Sequence, residues 1–429
     1  MPRDRVHGER PVGGGRRLLT AAPAGLVLGG LLLAPLAASA AWELVPTLGV
    51  TAGATDDSPY ASRATPTPEA LVSLTPALEL FRTGEQLTLS ARLDGQGSVR
   101  TASGRSLFGG GRLSVDGQPT ARLGLGVSLR SSLAQEEASR LLFDPAGEPL
   151  ATPATAEEAP PAAATPASWP AAPQISAGLR RGAVYWSHEV LGGARYRLGP
   201  QLDLALTGEG AWRRQRSLLP PEDTLDDLVL LSGLGLSWTA SERTRLEGGV
   251  ELGRYVHDGR ANTVQGATVS WRRRASAVLT LAARFGLRRT PDPTRPATEL
   301  EPVARLTLDA TRPQGQLRLT LARDVQLDAT LGGPAVASTL GLDASWQLTE
   351  RLVAAGGVRG GNRTAGSGAP TLPEALDHYL DATLEAGLHY RLSRIALTRL
   401  RVQHLRFHPS AGDGYQGNTL ELQLAARWE

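Results

Sequence analysis

Period-two alternation of apolar and polar residues, repeated along most of the chain, restricts the fold more than any other feature of this sequence. Ala121, Leu123, Leu125, Val127 and Leu129 alternate with Arg122, Gly124, Gly126, Ser128 and Arg130. Leu317, Leu319 and Leu321 alternate with Arg318, Thr320 and Ala322; Leu340, Leu342, Ala344 and Trp346 share a parity, as do Leu384, Ala386, Leu388 and Tyr390. The last such run sets Leu420, Leu422, Leu424, Ala426 and Trp428 against Thr419, Glu421, Gln423, Ala425 and Arg427. Because successive side chains of a strand point to opposite faces, each run is a strand with one face in an apolar environment. A soluble sandwich alternates too, but its strands usually run about five or six residues. Runs of about ten match the length with which a tilted strand crosses a bilayer.

The first forty residues read as an export signal. Arg3, Arg5, Arg10, Arg16 and Arg17 precede an apolar stretch from Leu18 to Leu36, and Ala38-Ser39-Ala40 has the small-residue form of a cleavage site. The mature chain is expected to span 41–429 as one domain. Removing the signal takes away five Arg and two acids, which leaves forty basic and forty acidic residues. The basic isoelectric point therefore points to no nucleic-acid partner. No stretch after residue 40 has the eighteen or so uninterrupted apolar residues of a membrane helix. The absence of Cys excludes disulfides, thiolate metal sites and a lipid-modified Cys.

The connections carry the topology. Short turns are expected near 82–85, 116–119, 199–200, 240–243, 274–275, 312–315, 349–350 and 392–393. Longer, polar, Pro/Gly-rich loops are expected near 55–68, 96–106, 131–180, 213–226, 256–262, 289–300, 325–335, 360–376 and 407–417. Short turns on one side and long loops on the other mark outer-membrane barrels. The fold class is thus all-β: a closed antiparallel transmembrane β-barrel of about eighteen strands, both termini periplasmic, with sixteen if two of the weaker strands fail, the fourth or the twelfth being the weakest. The 131–180 loop is Pro/Ala-rich and is expected to be disordered outside, with folding into the pore as the alternative. A break of parity between Ile395 and Leu400 suggests a bulge near Thr398, or Arg399 and Arg401 reaching the interface.

Trp42, Tyr196, Trp238, Trp271, Trp346, Tyr390 and Trp428 lie near short turns or chain ends on the apolar parity, which predicts a periplasmic aromatic girdle. The opposite parity predicts the lumen lining: Arg92, Asp94, Arg112, Arg122, Asp203, Glu209, Arg245, Glu247, Arg305, Asp309, Arg318, Glu385, Glu421 and Arg427, with Gly and Ser between them. Eighteen strands enclose enough space for an aqueous channel.

Catalytic and cofactor chemistry finds little support. Ser187, His188 and Glu189 have triad residue types, but on a strand Ser187 and Glu189 face inward and His188 outward. Asp56-Asp57 and Asp226-Asp227 fall in expected external loops, where paired acids are usually solvated or bridged by divalent ions to lipopolysaccharide. His378, His389, His404 and His408 lack metal-ligand spacing. No phosphate loop or dinucleotide fingerprint occurs, so no cofactor, no metal and no enzymatic activity are expected.

The stretch Ala41-Trp42-Glu43-Leu44-Val45-Pro46-Thr47-Leu48-Gly49-Val50 followed by Thr55-Asp56-Asp57, together with Leu71 to Leu80, resembles the opening of β-barrel porins associated with exopolysaccharide or capsule systems. The resemblance implies a conduit for an exported polysaccharide, docked on a periplasmic export protein, and carries over no binding residues. The other expected partners are outer-membrane lipid, lipopolysaccharide and the barrel-assembly machinery, although Trp428 is penultimate where barrels usually end on an aromatic residue. A general diffusion porin and a non-conducting display barrel remain as alternatives, with an outer-membrane hydrolase behind them.

Overall fold

A computed structural model of the chain describes residues 42–428 except 57–67, 85, 102–103, 135–182, 218–223, 258–259, 290–299, 329–332, 366–377 and 411–413. The export signal and most of the 131–180 loop lie outside the described residues. The strands are β1 (Trp42–Thr55), β2 (Glu69–Thr83), β3 (Leu87–Arg100), β4 (Gly104–Thr120), β5 (Leu123–Ala134) and β6 (Ala183–Arg197). They continue with β7 (Leu202–Ser217), β8 (Thr224–Ser241), β9 (Thr244–His257), β10 (Arg260–Arg274), β11 (Leu279–Arg289) and β12 (Leu300–Arg312). The last are β13 (Gly315–Asp328), β14 (Gly333–Gln347), β15 (Leu352–Ala365), β16 (His378–Arg391), β17 (Ala396–Pro409) and β18 (Tyr415–Arg427). Every strand pairs antiparallel with its sequence neighbours, and β1 pairs with both β2 and β18, so the 18-stranded sheet is closed. The fourth and twelfth strands both form.

Closure is what makes a sheet stable in lipid, because it leaves no unpaired backbone edge. Leu206, Leu234, Val250, Leu252, Val269, Phe285, Leu340, Leu384 and Leu422 stand exposed on the outer face. A soluble protein would bury such a belt; on a closed barrel it is the lipid-facing band, and the protein is an outer-membrane barrel. A 14-residue strand such as β1, tilted by about 40°, rises about 35 Å, more than the ~25 Å apolar band of outer-membrane barrels.

Chain ends and short turns share one rim. Four of the turns use the same local chemistry, in which one hydroxyl accepts two backbone N–H bonds. Thr120 Oγ1 accepts from Arg122 and Leu123, Ser276 Oγ from Val278 and Leu279, Thr349 Oγ1 from Arg351 and Leu352, and Ser393 Oγ from Ile395 and Ala396.

Three features differ from the sequence expectation. The second turn falls at Ala121-Arg122 instead of 116–119, because β4 runs on through a register shift between Gly117 and Thr120. Arg122 is therefore a turn residue and not part of the lumen wall. In β17 the pairing with both neighbours is continuous past Thr398, without a bulge; Leu397 shares the inward parity with Arg399 and Arg401. Strands also extend well into several expected loops: β9 and β10 are separated by two residues and β3 and β4 by three.

Candidate functional site

Among the described residues alternation assigns an extended polar surface to the inner wall, and its charges are arranged by cross-strand register. Of the expected lining, Arg92, Asp94, Arg112, Asp203, Glu209, Arg245, Glu247, Arg305, Asp309, Arg318, Glu385, Glu421 and Arg427 alternate with the exposed leucines of their strands, which places them on the inner face. On the outer face, Trp42, Tyr196, Trp238, Trp346, Tyr390 and Trp428 are exposed at the rim of short turns, and Trp271 there is half-buried. The Arg82 guanidinium lies 5.2 Å over the Trp42 ring, a cation–π contact suited to an interface.

Ion pairs run around the wall. Arg92 reaches Glu79 at 2.6 Å and Asp94 at 3.8 Å, while Arg427 reaches the same Glu79 at 3.7 Å. Arg195 pairs with Asp203. Arg245 pairs with Glu247 at 2.8 Å and donates to Ser237 Oγ at 2.6 Å. Arg318 pairs with Asp309 at 2.5 Å and Arg359 with Asp343 at 2.9 Å. Glu385 receives Arg399 at 3.2 Å and Arg401 at 2.7 Å, and Arg401 also lies 3.8 Å from Glu421. Each exposed pair contributes ~0–1 kcal/mol; its larger effect is to fix where charge stands on the wall.

Exposure separates two regions of this wall. The inward side chains of Arg318 and Arg359 remain 64% and 73% exposed, which requires open space on the inner face beside β13 and β15. At the rim of the longer connections the wall is instead covered. Pro334, Ala335, Val336 and Ala337 are consecutive and all buried, so both faces of β14 are covered there. β14 also touches β9, five strands away in the barrel order, which requires the β13–β14 ends to lean inward. Arg288 on β11, 5% exposed, holds them. Its Nε donates to Glu251 Oε1 at 2.6 Å, and one terminal nitrogen donates to Asp324 Oδ1 at 2.7 Å and to the Val325 carbonyl at 2.5 Å. Gly266 lies between Glu251 and Arg288 in the register, and a Cβ there would meet Glu251 Oε1 at 2.5 Å. The glycine is what lets the carboxylate cross β10.

Apolar residues on the inward parity line this covered end: Ala211, Val229, Leu231, Tyr255 and Val264 pack as one cluster, and Ala335 packs against Tyr379 and Phe407. Valines and a tyrosine on an otherwise polar parity were the sequence signal for it. Beside them Arg213 and Asp227, 2% and 1% exposed, pair at 2.9 Å. The structure thus moves Asp226-Asp227 from an external loop into β8, where Asp226 pairs with Arg214 at 2.7 Å on the outer face. Ser187 and His188 are split by the wall: Ser187 Oγ lies 2.7 Å from Ser132 Oγ, and His188 stacks on Trp212 at 5.2 Å. No group of three or more His, Cys, Asp or Glu able to hold a metal occurs among the described residues.

No protein-family profile and no curated protein matches the sequence. Among solved structures the chain is similar to OccAB4 of Acinetobacter baumannii, at 10% identity over 90% of this chain and 98% of that one, with a TM-score of 0.45. It is similar to the outer membrane protein OpdK of Pseudomonas aeruginosa at 13% identity, over 90% and 99% of the two chains, TM-score 0.45. OpdQ of Pseudomonas aeruginosa follows at 8% identity, over 90% and 97%, TM-score 0.46.

Proposed function

We propose that the barrel is a passive channel for small hydrophilic solutes across the outer membrane. The observation that carries this reading is the solvent exposure of inward-facing arginines, Arg318 and Arg359 above all. A barrel filled by its own side chains would bury them or replace them with apolar residues. Transport of this kind needs no catalytic group: the wall supplies a hydrated path and fixed charges, and the exterior supplies the apolar belt.

Export of a polysaccharide, docked on a periplasmic protein, is the narrower reading that the opening sequence suggests. A leaning β13–β14 end across part of the lumen fits small solutes better than a thick polymer. Planar-bilayer conductance of the refolded mature chain tests the proposal. A stable, ohmic single-channel conductance supports it; silence from inserted, heat-modifiable protein overturns it in favour of a non-conducting display barrel. Exclusion of polyethylene glycols from the pore then separates the two cargo sizes.

A further inference from the structure

Among the described residues most arginines of the lumen wall have a carboxylate partner, and two directly opposed pairs do not. Arg195, Arg213, Arg245, Arg318, Arg359 and Arg401 each have a carboxylate within 4.0 Å. Arg112 and Arg130 have no ion pair among the described residues, yet they stand directly opposite each other on β4 and β5. Both are exposed and on the inward parity. On its other side Arg112 is opposed by Arg92 on β3, whose charge is taken by Glu79. Glu189 opposes Arg130 on β6 without forming an ion pair with it.

Directly opposed positions bring side chains within about 5 Å, and like charges there repel. A fold that balances its lumen charge elsewhere keeps this repulsion only if something else compensates it. The surroundings leave room for a ligand: the inward neighbours along the two strands are Gly110 and Ser114 on β4, Ser128 and Ser132 on β5, all small. Guanidinium groups are planar forks whose paired N–H donors match the two oxygens of a carboxylate or phosphate. Two adjacent forks facing water, flanked by hydroxyls, suit an oxyanion that a single arginine would hold weakly.

We propose that Arg112 and Arg130 form an anion-binding subsite on the lumen wall, for solutes carrying a carboxylate or phosphate group. The inference rests on the channel reading for its biological meaning, but the binding itself needs no conduction. Arg284 and Arg305 repeat the arrangement: they are directly opposed on β11 and β12 and lack an ion pair among the described residues. They are less exposed, so Arg112 and Arg130 are the primary site.

The test is the excess ³¹P linewidth of inorganic phosphate, and the ¹³C linewidth of acetate, in the presence of the folded full-length mature chain in detergent. Arg112→Gln with Arg130→Gln should lower the excess linewidth about fivefold or more, since both charge-assisted forks are lost. Arg351→Gln with Arg394→Gln removes the same charge from two exposed turns and should leave it unchanged. The Gln pair relieves a repulsion and is expected to fold; heat-modifiable migration checks this, and Arg112→Gln alone serves if it does not. Equal linewidths in wild type and the Gln pair, or no broadening by wild type, overturn the proposal. In bilayers the anion-to-cation permeability ratio should fall about threefold in the Gln pair. Broadening without conductance would sink the channel reading and leave the subsite standing.

Discussion

Removing the Arg288 side chain should release the inward-leaning ends of β13 and β14 without opening the barrel. Arg288 ties that segment to β11 through Asp324 and the Val325 carbonyl, and ties β11 to β9 through Glu251. Only the first two bonds break when the segment swings away. A hydrogen bond to a charged group contributes about 1.5–3 kcal/mol, and Asp324 is 36% exposed, so solvent screening lowers its share. The loss is then about 2–4 kcal/mol, which raises the opening equilibrium roughly thirty- to seven-hundred-fold at 1.4 kcal/mol per decade. The chain has no Cys, so a cysteine replacing Ala335, which is 0% exposed, reports opening through its rate of modification by a charged methanethiosulfonate. Ala335→Cys should label slowly, and Ala335→Cys with Arg288→Ala faster by the factor above, with the urea midpoint of the barrel little changed. Gly266→Ala should act in the same direction, because its methyl group displaces Glu251 from Arg288. An acceleration below about threefold would refute the assignment of Arg288 as the tie.

Two further substitutions test the wall itself. Arg213→Ala removes the buried charge partner of Asp227 and should cost about 3–5 kcal/mol in urea unfolding, whereas replacing both residues by Leu should be close to neutral; equal losses in the two variants would contradict the burial of the pair. Leu340→Arg places a charge in the lipid-facing belt and should cost about 2–4 kcal/mol, while Thr339→Arg, one residue away on the inner face, should cost less than about 1 kcal/mol; a reversed order would mean that the two faces are exchanged.

The membrane-spanning part of the fold was legible because lipid on one side and water on the other impose alternation on every strand. Leu420 to Trp428 show this as plainly in the sequence as in the structure. Beyond the bilayer the outer face no longer meets lipid, so the apolar–polar alternation disappears while backbone pairing continues. That is why β8 and β9 run through Asp226 to His257 and β13 through Asp328, where the sequence reads as loop. Asp116-Gly117-Gln118-Pro119 has turn composition, but Asp116 and Gly117 stay paired with both neighbouring strands, Gln118 and Pro119 fall in a register shift, and the chain turns later, at Ala121-Arg122. Parity assigns Arg112, Arg318 and Glu385 to the inward face. It does not supply their partners, since which residue opposes which depends on register. Arg112 facing Arg130, and Glu251 reaching Arg288 across Gly266, follow from pairing that no single strand records.

The seam where the barrel closes joins the first strand to the last. Thr47–Thr55 of β1 pair with Thr419–Arg427 of β18. Both ends of the seam are fastened: the Trp428 N–H donates to the Pro46 carbonyl at 3.1 Å, and Asn418 donates from its backbone N–H and Nδ2 to the Asp56 carboxylate at 2.6 Å each. Contacts of such sequence separation form late in folding, after the entropy of ordering the whole ring has been spent. Until then β1 and β18 each present an unpaired row of N–H and C=O groups, a template for sticking to other chains. Assembly is therefore all-or-none at its final step. A chain shortened by only its last strand is an open sheet with two hungry edges, insoluble in water and unwelcome in lipid, and not a slightly smaller pore.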